Sequence, residues 1–572
     1  MKLHIRPVDL RARHTLLQAG VDPLMARLLA ARGVQHPDEL KLELGALLPP
    51  DKLLGLPAAV ARISDAIDAG EPMLVVGDYD CDGATAITMA VEGLRMMGGI
   101  VDYLVPNRFE NGYGLTPEVV DMALAHPRLG RPALLITVDN GIASLAGVEH
   151  AHAQGLPVII TDHHLPGDTL PDALAIVNPN QPGCPFPDKN LAGVGVILYV
   201  LIALRSARRD AGKFDGAAPS LAPLLDLAAL GTVADVVPLS HNNRVLVNAG
   251  LARIRAGRAR PGIAALLQVA RRQGRTLSAA DLGFAIGPRI NAVGRLADMS
   301  IGVECLLAPD VQRATELAQH LDQINSQRRD LEQSMREEAL HQLGEPDPQA
   351  RTLVIFDAEW HHGVIGLVAS KVKDRHHRPT IAFAPDQDGL LRGSGRSIRG
   401  VHLRDVLDLV DKRHPGMILK FGGHAMAAGL TLSAERLDDF RMALEEAVIT
   451  LSDPGVFDPD VTTDGPLPPE ALHINTLKLI DTQVWGQGFP PPLFSGRFNI
   501  RHQRLINQRH LKLELSPDDA PSLRLSAIYF GRTEALPAEA VLSYRLLRDD
   551  YRGENAISLQ IDQVLDDAAL AA

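Results

Sequence analysis

The sequence contains little cysteine. Cys81, Cys184 and Cys305 are the three in its 572 residues, and no two of them stand in a CxxC spacing. An odd number of isolated cysteines gives neither a disulfide framework nor a ligand set for structural zinc. We therefore expect all three thiols to be reduced, and we do not expect Cys81 to be a metal ligand although it lies within an acidic motif.

Long apolar runs are also missing. The longest candidate, residues 191–204, is shorter than the roughly 20 residues that a membrane-spanning helix needs. The first residues lack the basic start, the apolar core and the small-residue cleavage site of a secretory signal. These two absences predict a cytoplasmic protein that does not cross a membrane.

Aromatic residues make up only 4% of the chain, and its net charge is −12. A generally basic nucleic-acid-binding surface is therefore not expected. The charge is uneven, however, because residues 236–280 contain no acidic residue. This stretch is compatible both with a basic surface that attracts phosphates and with a solvated helical face. Its arginines are Arg244, Arg253, Arg255, Arg258, Arg260, Arg271, Arg272 and Arg275.

The length exceeds what one hydrophobic core usually serves, and about two to four domains are expected. Between residues 73 and 177, short apolar runs alternate with helical patterns. This alternation predicts a parallel sheet with helices on both faces. The predicted strands are 73–76, 101–105, 133–138, 158–161 and 173–177, and the predicted helices between them are 84–97, 117–125 and 143–154.

The second half of the chain has a different organisation. Residues 310–343 contain neither Gly nor Pro, which predicts one long helix that joins two lobes. A second α/β pattern follows, with two glycine-rich segments, 392–397 and 421–429, that we expect to be loops. Alternating runs after residue 454 predict a small antiparallel barrel. The expected fold class is α/β, and the expected parts are a helical extension (1–55), a first lobe (56–309), a connecting helix (310–345), a smaller second lobe (346–450) and a β-barrel (454–572).

Acidic residues and histidines follow successive predicted strands of the first lobe. Asp78, Asp80 and Asp82 come directly after the strand at 73–76. The carboxyl ends of parallel strands share one edge of a sheet, which is where α/β proteins place their chemistry. The later members of this set are Asp139, His163, His164 and Asp235.

So many neighbouring acids would repel one another unless a cation neutralised them, and oxygen ligands with one or two imidazoles suit Mg²⁺ or Mn²⁺. Each Asp-Gly or Asn-Gly pair alone is also an ordinary turn former, and a His-His pair alone is weak evidence. Independent turns, however, have no reason to follow successive strands with acids and histidines. The sequence therefore predicts a divalent metal cluster.

Three motifs, DYDCDG at residues 78–83, DHH at 162–164 and GGHA at 422–425, resemble the DHH phosphoesterase superfamily. Further motifs resemble its RecJ-type members: PNRF at 106–109, GPRIN at 287–291 and WHHGVIG at 360–366. The resemblance implies that the two lobes are a DHH catalytic domain and a DHHA1 substrate-binding domain, and that the barrel is an OB-fold. It also implies that two Mn²⁺ or Mg²⁺ ions are bound by Asp80, Asp82, Asp139, His163 and Asp235. Asp78 would lie in or beside this ligand set, and His164 would face the scissile phosphate.

The same resemblance implies where the substrate binds. Arg108, Ser394 and Arg396 would form a pocket for a 5′ phosphate, and Tyr113 would stack on a base. Arg289 and Arg396 offer planar donors that suit phosphate, and Asn291 and His424 complete the expected substrate contacts.

The implied activity is a metal-dependent 5′→3′ exonuclease that degrades single-stranded DNA to 5′-mononucleotides in DNA repair and recombination. A phosphoesterase of short oligonucleotides or cyclic dinucleotides remains an alternative, as does a non-catalytic DNA-binding scaffold. The barrel and the acid-free arginine stretch favour a polymeric substrate, and the full set of acids and histidines argues against a scaffold. The implied partners are single-stranded DNA, a RecQ-type helicase and a single-stranded-DNA-binding protein, and the two-lobe plan is compatible with a monomer.

Overall fold

Contacts between Cα atoms divide the computed structural model of the chain into two units. The first unit comprises residues 8–325 and 479–491, and the second comprises residues 1–7, 326–478 and 492–572. The structure describes residues 2–107, 111–345, 347–549 and 556–566.

The N-terminal residues form a strand, β1 (Lys2–Ile5), and two helices, α1 (Leu10–Gln18) and α2 (Pro23–Ala30). Asp9 and Asp22 begin the two helices, because each side chain accepts hydrogen bonds from two backbone N–H groups of the first turn. The strand is not predicted by the sequence, which indicates only a helical extension here. Three 3₁₀ turns follow, at Pro37–Leu40, Leu44–Ala46 and Pro50–Lys52.

A parallel sheet of five strands forms the centre of the first unit, and helix α3 (Leu56–Ala69) leads into it. The strands are β2 (Pro72–Gly77), β3 (Ile100–Leu104), β4 (Leu134–Val138), β5 (Val158–Thr161) and β6 (Ala175–Val177). They stand in the order β3–β2–β4–β5–β6. Because the central strands are buried on both faces, they read as continuous apolar runs. The five predicted strands are confirmed, with ends that differ by at most two residues.

Helices make up most of the rest of the first unit, and α4 is buried because α7 and α8 both pack against it. The helices within the sheet region are α4 (Cys81–Met96), α5 (Pro117–Leu124) and α6 (Leu145–Ala153). Those after it are α7 (Gly193–Asp210), α8 (Leu225–Ala234), α9 (His241–Arg255), α10 (Pro261–Val269), α11 (Ala279–Asp281), a π-helical turn (Leu282–Ile286), α12 (Gly287–Leu296), α13 (Ser300–Leu307) and α14 (Val311–Leu343). The long helix predicted at 310–343 is confirmed, and the division between the two units falls within it. Among the described residues, we find no helix whose length and hydropathy together would let it span a bilayer.

The arginine-rich stretch at 236–280 is not one solvent-facing surface. Arg260 is buried and donates to the carboxylates of Asp226 and Glu92 at 3.0–3.1 Å. Arg244 is also buried. These arginines stabilise the interior of the first unit or line its cavities, and they do not join the exposed Arg258, Arg271 and Arg275 in a single basic surface.

The second unit contains a mixed sheet of five strands in the order β10–β11–β9–β8–β7, with three helices. Its elements are β7 (Leu353–Phe356), α15 (Ile365–His376), β8 (Thr380–Pro385), β9 (Leu390–Arg396), α16 (Leu403–Arg413), β10 (Lys420–Gly423), β11 (Ala427–Ser433) and α17 (Leu437–Leu451). Only β7 and β8 pair in parallel, and the strands from β8 to β10 are antiparallel.

The prediction that the two glycine-rich segments are loops is wrong. Residues 392–396 lie in β9, and residues 421–429 form the hairpin of β10 and β11. The glycines make room for neighbouring side chains. A Cβ at Gly393 would lie 2.5 Å from the ring of Phe383, and a Cβ at Gly395 would lie 2.6 Å from Leu403. Close packing against the sheet therefore explains these two glycines.

A closed barrel follows in the second unit, in the order β13–β14–β15–β17–β16. Tyr544 is buried in it and packs edge-on against Phe498, whereas Phe530 is about half exposed. Strand β12 (Asp460–Thr463) precedes the barrel and pairs in parallel with β1. Helix α18 (Ile474–Ile480) follows β12. The barrel strands are β13 (Phe494–Ile506), β14 (His510–Pro517), β15 (Leu525–Tyr529), β16 (Glu539–Arg548) and β17 (Ile557–Leu565). The predicted barrel is confirmed, but it is not antiparallel throughout, because β15 and β17 pair in parallel.

The packing role of Gly393 can be tested with Gly393→Ala. Because the new methyl group would overlap Phe383 and Leu430, we expect the free energy of unfolding to fall by about 1–3 kcal/mol. Gly422→Ala, in the neighbouring hairpin, is the matched control, since a Cβ there meets no atom within 4 Å. Calorimetric unfolding of the full chain measures both, and equal stability of the two variants would contradict this account of β9.

Candidate metal centre

Asp78, Asp80 and Asp82 follow β2 in the turn that leads into α4. Asp80 caps this helix, because its Oδ1 accepts a hydrogen bond from the Gly83 N–H at 2.9 Å. A Cβ at position 83 would lie 2.4 Å from the Asp78 carbonyl oxygen, so the turn requires glycine there. This tight turn places three carboxylates at the carboxyl end of β2.

The N-terminus of α7 fixes the buried carboxylate of Asp82. Its Oδ2 accepts a hydrogen bond from the Gly193 N–H at 2.6 Å, and its Oδ1 accepts one from the Val194 N–H at 3.0 Å. Backbone N–H groups at a helix N-terminus favour negative charge. A Cβ at Gly193 would lie 2.5 Å from the Cβ of Asp139, so Gly193 also lets Asp139 approach.

Asp139, His163 and Asp235 converge from three other elements. Asp139 follows β4 with φ of +62°, His163 follows β5, and Asp235 ends α8. The Nε2 of His163 lies 3.1 Å from Oδ1 of Asp139 and 3.5 Å from Oδ2 of Asp235. Residues that are more than 150 positions apart in the sequence, such as Asp82 and Asp235, therefore meet at one edge of the sheet.

Two sets of side chains could hold a metal ion. One set is Asp82, His163 and Asp235, and the other is Asp139, His163 and His164, with ligand atoms within 4.8 Å of one another in each. The buried Oδ1 of Asp139 and Nε2 of His163 lie 3.1 Å apart, but neither atom has a hydrogen bond of suitable geometry to the other or to any other described residue. Buried polar atoms without partners are costly, and a cation between them would remove that cost. Neither set includes Asp78 or Asp80, although both precede Asp82 in the same turn.

Burial and mutual repulsion perturb these carboxylates. Burial, together with the charge of Asp80, raises the pKa of Asp82 to about 7. Burial and the neighbouring acids, Asp82 first among them, raise the pKa values of Asp139 and Asp235 well above the ordinary value. Burial lowers the pKa of His163 to about 4, which keeps its imidazole neutral and able to ligate. Oxygen ligands with a neutral imidazole fit Mg²⁺ or Mn²⁺.

Asp162 orients His164, and sequence reasoning did not identify it as a functional residue. Its Oδ1 accepts hydrogen bonds from the backbone N–H groups of His163 and His164 and lies 2.8 Å from Nδ1 of His164. Burial opposes the charged imidazole, but the Asp162 bond and the charges of nearby acids raise the pKa of His164 to about 9. Nε2 of His164 lies 3.2 Å from the Tyr113 hydroxyl, which is in an exposed residue. A carboxylate two residues before a histidine was the signal that could have found Asp162.

Two predicted substrate contacts have internal partners in the first unit. The Oδ1 of Asn291 accepts a hydrogen bond from the Cys81 N–H at 2.7 Å and so supports the acidic turn. Arg289 forms an ion pair with Asp322 of α14 at 2.8 Å, and little of its side chain is exposed. Sequence reasoning could not foresee either partner, because both are distant in the chain.

The second unit brings Ser394 and Arg396 together. Both lie on β9, and Nη1 of Arg396 is 3.2 Å from Oγ of Ser394. A Cβ at Gly366, in the first turn of α15, would lie 2.8 Å from each of these side chains. His424 is exposed in the turn between β10 and β11. Arg108 lies outside the described residues.

Comparisons with known proteins match this architecture. Family profiles match at residues 72–232 (DHH family, N-terminal domain), 349–450 (DHHA1 domain) and 463–563 (RecJ OB domain). A curated relative, the single-stranded-DNA-specific exonuclease RecJ of Escherichia coli (strain K12), is 49% identical over 99% of both chains. The chain belongs to the RecJ family.

Other RecJ proteins are also similar to this chain. RecJ of Haemophilus influenzae is 46% identical over 95% of this chain and 96% of the relative. The crystal structure of RecJ from Thermus thermophilus in complex with Mn²⁺ has a TM-score of 0.82 at 30% identity and covers 99% of this chain and 79% of that chain. The resemblance to RecJ-type members of the DHH superfamily, inferred from the sequence motifs, is confirmed.

The metal-binding role of Asp139 can be tested by Asp139→Asn. Without divalent cations, we expect this variant to unfold at the same or a higher temperature, because it removes a buried charge and asparagine tolerates the positive φ. Mn²⁺ should raise the unfolding temperature of the unmodified chain, since a ligand that binds only the folded state stabilises it. We expect the variant to lose most of that rise.

Asp121→Asn is the control for this measurement, because Asp121 is an exposed carboxylate of the same unit whose partner is His150. It should keep the full Mn²⁺ effect in thermal unfolding. An Asp139→Asn variant that Mn²⁺ stabilises as much as the control would contradict the assignment.

Proposed function

We propose that this chain is a metal-dependent 5′→3′ exonuclease that degrades single-stranded DNA to 5′-mononucleotides in DNA repair and recombination. The observation that carries the proposal is the cluster of buried carboxylates around the neutral His163, whose Nε2 has no hydrogen-bond partner within the described part of the chain. The two curated relatives named above are single-stranded-DNA-specific exonucleases, and each matches this chain over nearly its full length, which supports the same substrate.

Asp80, Asp82, Asp139, His163 and Asp235 are the proposed ligands of two Mn²⁺ or Mg²⁺ ions, with Asp78 beside them. Two such ions would lower the pKa of a bound water and stabilise charge on both the attacking and the leaving oxygens of a phosphodiester. The protein contributes the geometry: the N-terminus of α7 holds Asp82, and the Gly83 turn holds Asp80. Ligands on four separate elements explain why a folded first unit is needed to form the site.

His164 is the proposed donor to the substrate phosphate. Its Nδ1 is engaged by Asp162, so Nε2 is the nitrogen that can reach a substrate oxygen. With a raised pKa, the imidazole is protonated at neutral pH and can stabilise negative charge as the bond breaks. The Tyr113 hydroxyl lies 3.2 Å from Nε2, and Tyr113 remains the proposed stacking partner of a base.

The 5′ phosphate is the proposed ligand of Ser394 and Arg396, together with Arg108. Three features support this: a planar guanidinium, a hydroxyl 3.2 Å away, and the adjacent N-terminus of α15. Helix N-termini and arginines are common partners of phosphate. His424, Arg289 and Asn291 remain proposed substrate contacts, although Arg289 and Asn291 also have the internal partners described above.

The barrel is proposed to extend the single-strand path, as OB-folds do. We further propose that the protein acts as a monomer in the cytoplasm. Its substrate would be supplied by a RecQ-type helicase, which produces single strands, and by a single-stranded-DNA-binding protein.

The role of Asp162 can be tested by Asp162→Asn. Losing the carboxylate lowers the pKa of His164, so the protonated imidazole should be lost at lower pH than in the unmodified chain, where that pKa is about 9. We expect kcat to fall by about 10²-fold or more at pH 8, and the alkaline limb of the pH–rate profile to move to lower pH. Steady-state hydrolysis of a single strand between pH 6 and 10 measures both effects.

A purely structural role for Asp162 would give a different pattern. The variant would then lose activity by the same factor at every pH, in parallel with its unfolding temperature. That result would contradict the proposed role of His164.

Polarity and the 5′-phosphate pocket can be tested together by Arg396→Ala. The unmodified chain should release labelled mononucleotide from a long single strand that is labelled at its 5′ end. It should prefer a strand with a 5′ phosphate over one with a 5′ hydroxyl, and it should cleave the long strand faster than a dinucleotide. Loss of charged hydrogen bonds should reduce the 5′-phosphate preference about 10- to 100-fold in the variant. Arg392→Ala, on the same strand, is the control, because Arg392 pairs with Asp386 instead.

Faster hydrolysis of the dinucleotide than of the long strand would favour the short-oligonucleotide phosphoesterase. Retention of the 5′ label on progressively shorter strands, as degradation from the 3′ end would give, would contradict the proposed polarity. An unchanged 5′-phosphate preference in Arg396→Ala would contradict the pocket.

A further inference from the structure

A cavity of about 240 Å³ in the first unit contains none of the residues assigned above. Its walls come from four parts of the chain: the segment after α2, Asn190 before α7, the segment that leads from α8 into the start of α9, and the turn at 486–489. The polar groups that matter for its chemistry are Arg32, Glu39, Ser240, His241 and Arg244.

Arg244 lines the cavity with its guanidinium almost completely buried. The residue is 3% exposed, and neither Nε nor Nη1 has a hydrogen-bond partner among the described residues. Burial lowers the pKa of this guanidinium to about 10, so it is still charged at neutral pH. A buried charge with unsatisfied donors is strongly unfavourable, and a protein that retains one has a use for an anion beside it.

Aromatic rings fix the plane of the Arg244 side chain. Its guanidinium carbon lies 4.3 Å from the centroid of Phe489, and Phe489 stacks on Trp485 at 5.1 Å with an interplanar angle of 15°. The turn that carries Phe489 is itself held, since the Leu239 N–H donates to the Gln487 carbonyl at 2.7 Å. The guanidinium is therefore pre-oriented before any ligand enters.

The other polar groups of the lining carry charges of both signs. Arg32 donates from Nε and Nη1 to the carbonyls of Pro490 and Leu28. Ser240 caps α9, so the N-terminus of that helix faces the same region. Glu39 is the one carboxylate that the described residues place in the lining, and its Oε1 already accepts two backbone N–H groups. Arg244 and the N-terminus of α9 thus lie opposite Glu39 in the lining, and Asp188, which accepts a hydrogen bond from the Ser240 hydroxyl at 2.6 Å, lies outside it.

We propose that this cavity binds a phosphate group, either as inorganic phosphate or as the phosphate of a mononucleotide, through the planar guanidinium of Arg244. An arginine fork matches two oxygens of a phosphate, and a helix N-terminus favours the same anion. A neutral ligand would add nothing to the partial compensation that Glu39 gives this buried charge. The inference does not rest on the exonuclease activity, because it uses residues outside the metal centre and is tested by binding alone.

Two walls of the cavity belong to chain segments that lead to the metal centre. Its wall residue Pro238 follows Asp235 by three positions, and its wall residue Asn190 precedes Gly193 by three. Both of these segments support carboxylates of the centre. A phosphate bound at Arg244 would therefore contact the segments that hold Asp82 and Asp235 in place.

Calorimetric titration of the full chain in EDTA tests the proposal, with inorganic phosphate, dAMP and deoxyadenosine as separate ligands. All proteins carry Arg396→Ala, so that the proposed 5′-phosphate pocket does not contribute. We expect phosphate or dAMP to bind and deoxyadenosine not to bind. Tighter binding of dAMP would assign the site to a mononucleotide, and equal or tighter binding of phosphate would assign it to the inorganic ion.

Three variants make the titration specific. Arg244→Gln should weaken binding at least about 10-fold, as expected for loss of hydrogen bonds to a charged group. Glu39→Gln should tighten binding several-fold, because it removes a negative charge from the lining. Arg258→Gln, an exposed arginine of the same stretch, should leave binding unchanged. Absence of binding in the parent protein, or equal binding by Arg244→Gln, would overturn the proposal.

A second measurement keeps the test valid if Arg244→Gln does not fold. Crystals of the unmodified chain soaked in tungstate, a heavy analogue of phosphate, should show an anomalous peak within hydrogen-bond distance of the Arg244 guanidinium. A map with tungsten bound elsewhere and no peak in this cavity would overturn the proposal as well.

Discussion

Electrostatic repulsion among buried carboxylates is the constraint on which the first unit depends. Asp82 and Asp139 are almost fully buried, and Asp235 lies close to both. Burial first, and then the repulsion between neighbouring acids, raises their pKa values, so the metal-free site either holds protons or bears a large energetic cost. A pair of divalent cations would resolve this conflict and would supply the proposed chemistry. The site is thus organised around a charge that the polypeptide itself does not supply.

Much of the fold follows from the sequence because the strands of the first sheet are buried on both faces. Such strands must be apolar along their whole length, and β2 and β4 are recognisable for that reason. The glycine-rich strands of the second unit show where sequence reasoning fails. Glycine favours turns locally, yet Gly393 and Gly395 lie in β9 because Phe383 and Leu403 occupy the space that side chains would need. Strand β1 could not be predicted from the sequence either, because its partner strand β12 lies more than 450 residues away in the chain.

Part of the candidate site could likewise be predicted from the sequence, and part of it could not. Acids and histidines at strand ends can be predicted, because parallel strands bring their carboxyl ends to one edge. The groups that position these acids and histidines cannot be predicted, because the contacts of those groups depend on the tertiary fold. Asn291 supports the acidic turn through the Cys81 N–H, and Arg289 pairs with Asp322. Asp162 belongs to the recognised DHH motif, but its role in fixing His164 became clear only from its hydrogen bonds.

The central claim is that the carboxylates of the first unit hold two divalent cations close together. Anomalous diffraction at the manganese edge, from crystals of the full chain grown with Mn²⁺, tests it most directly. The account predicts two peaks about 3.5–4 Å apart, bounded by Asp82, Asp139, His163 and Asp235. Manganese bound only at other surfaces, with this cluster free of ions at saturating Mn²⁺, would contradict it.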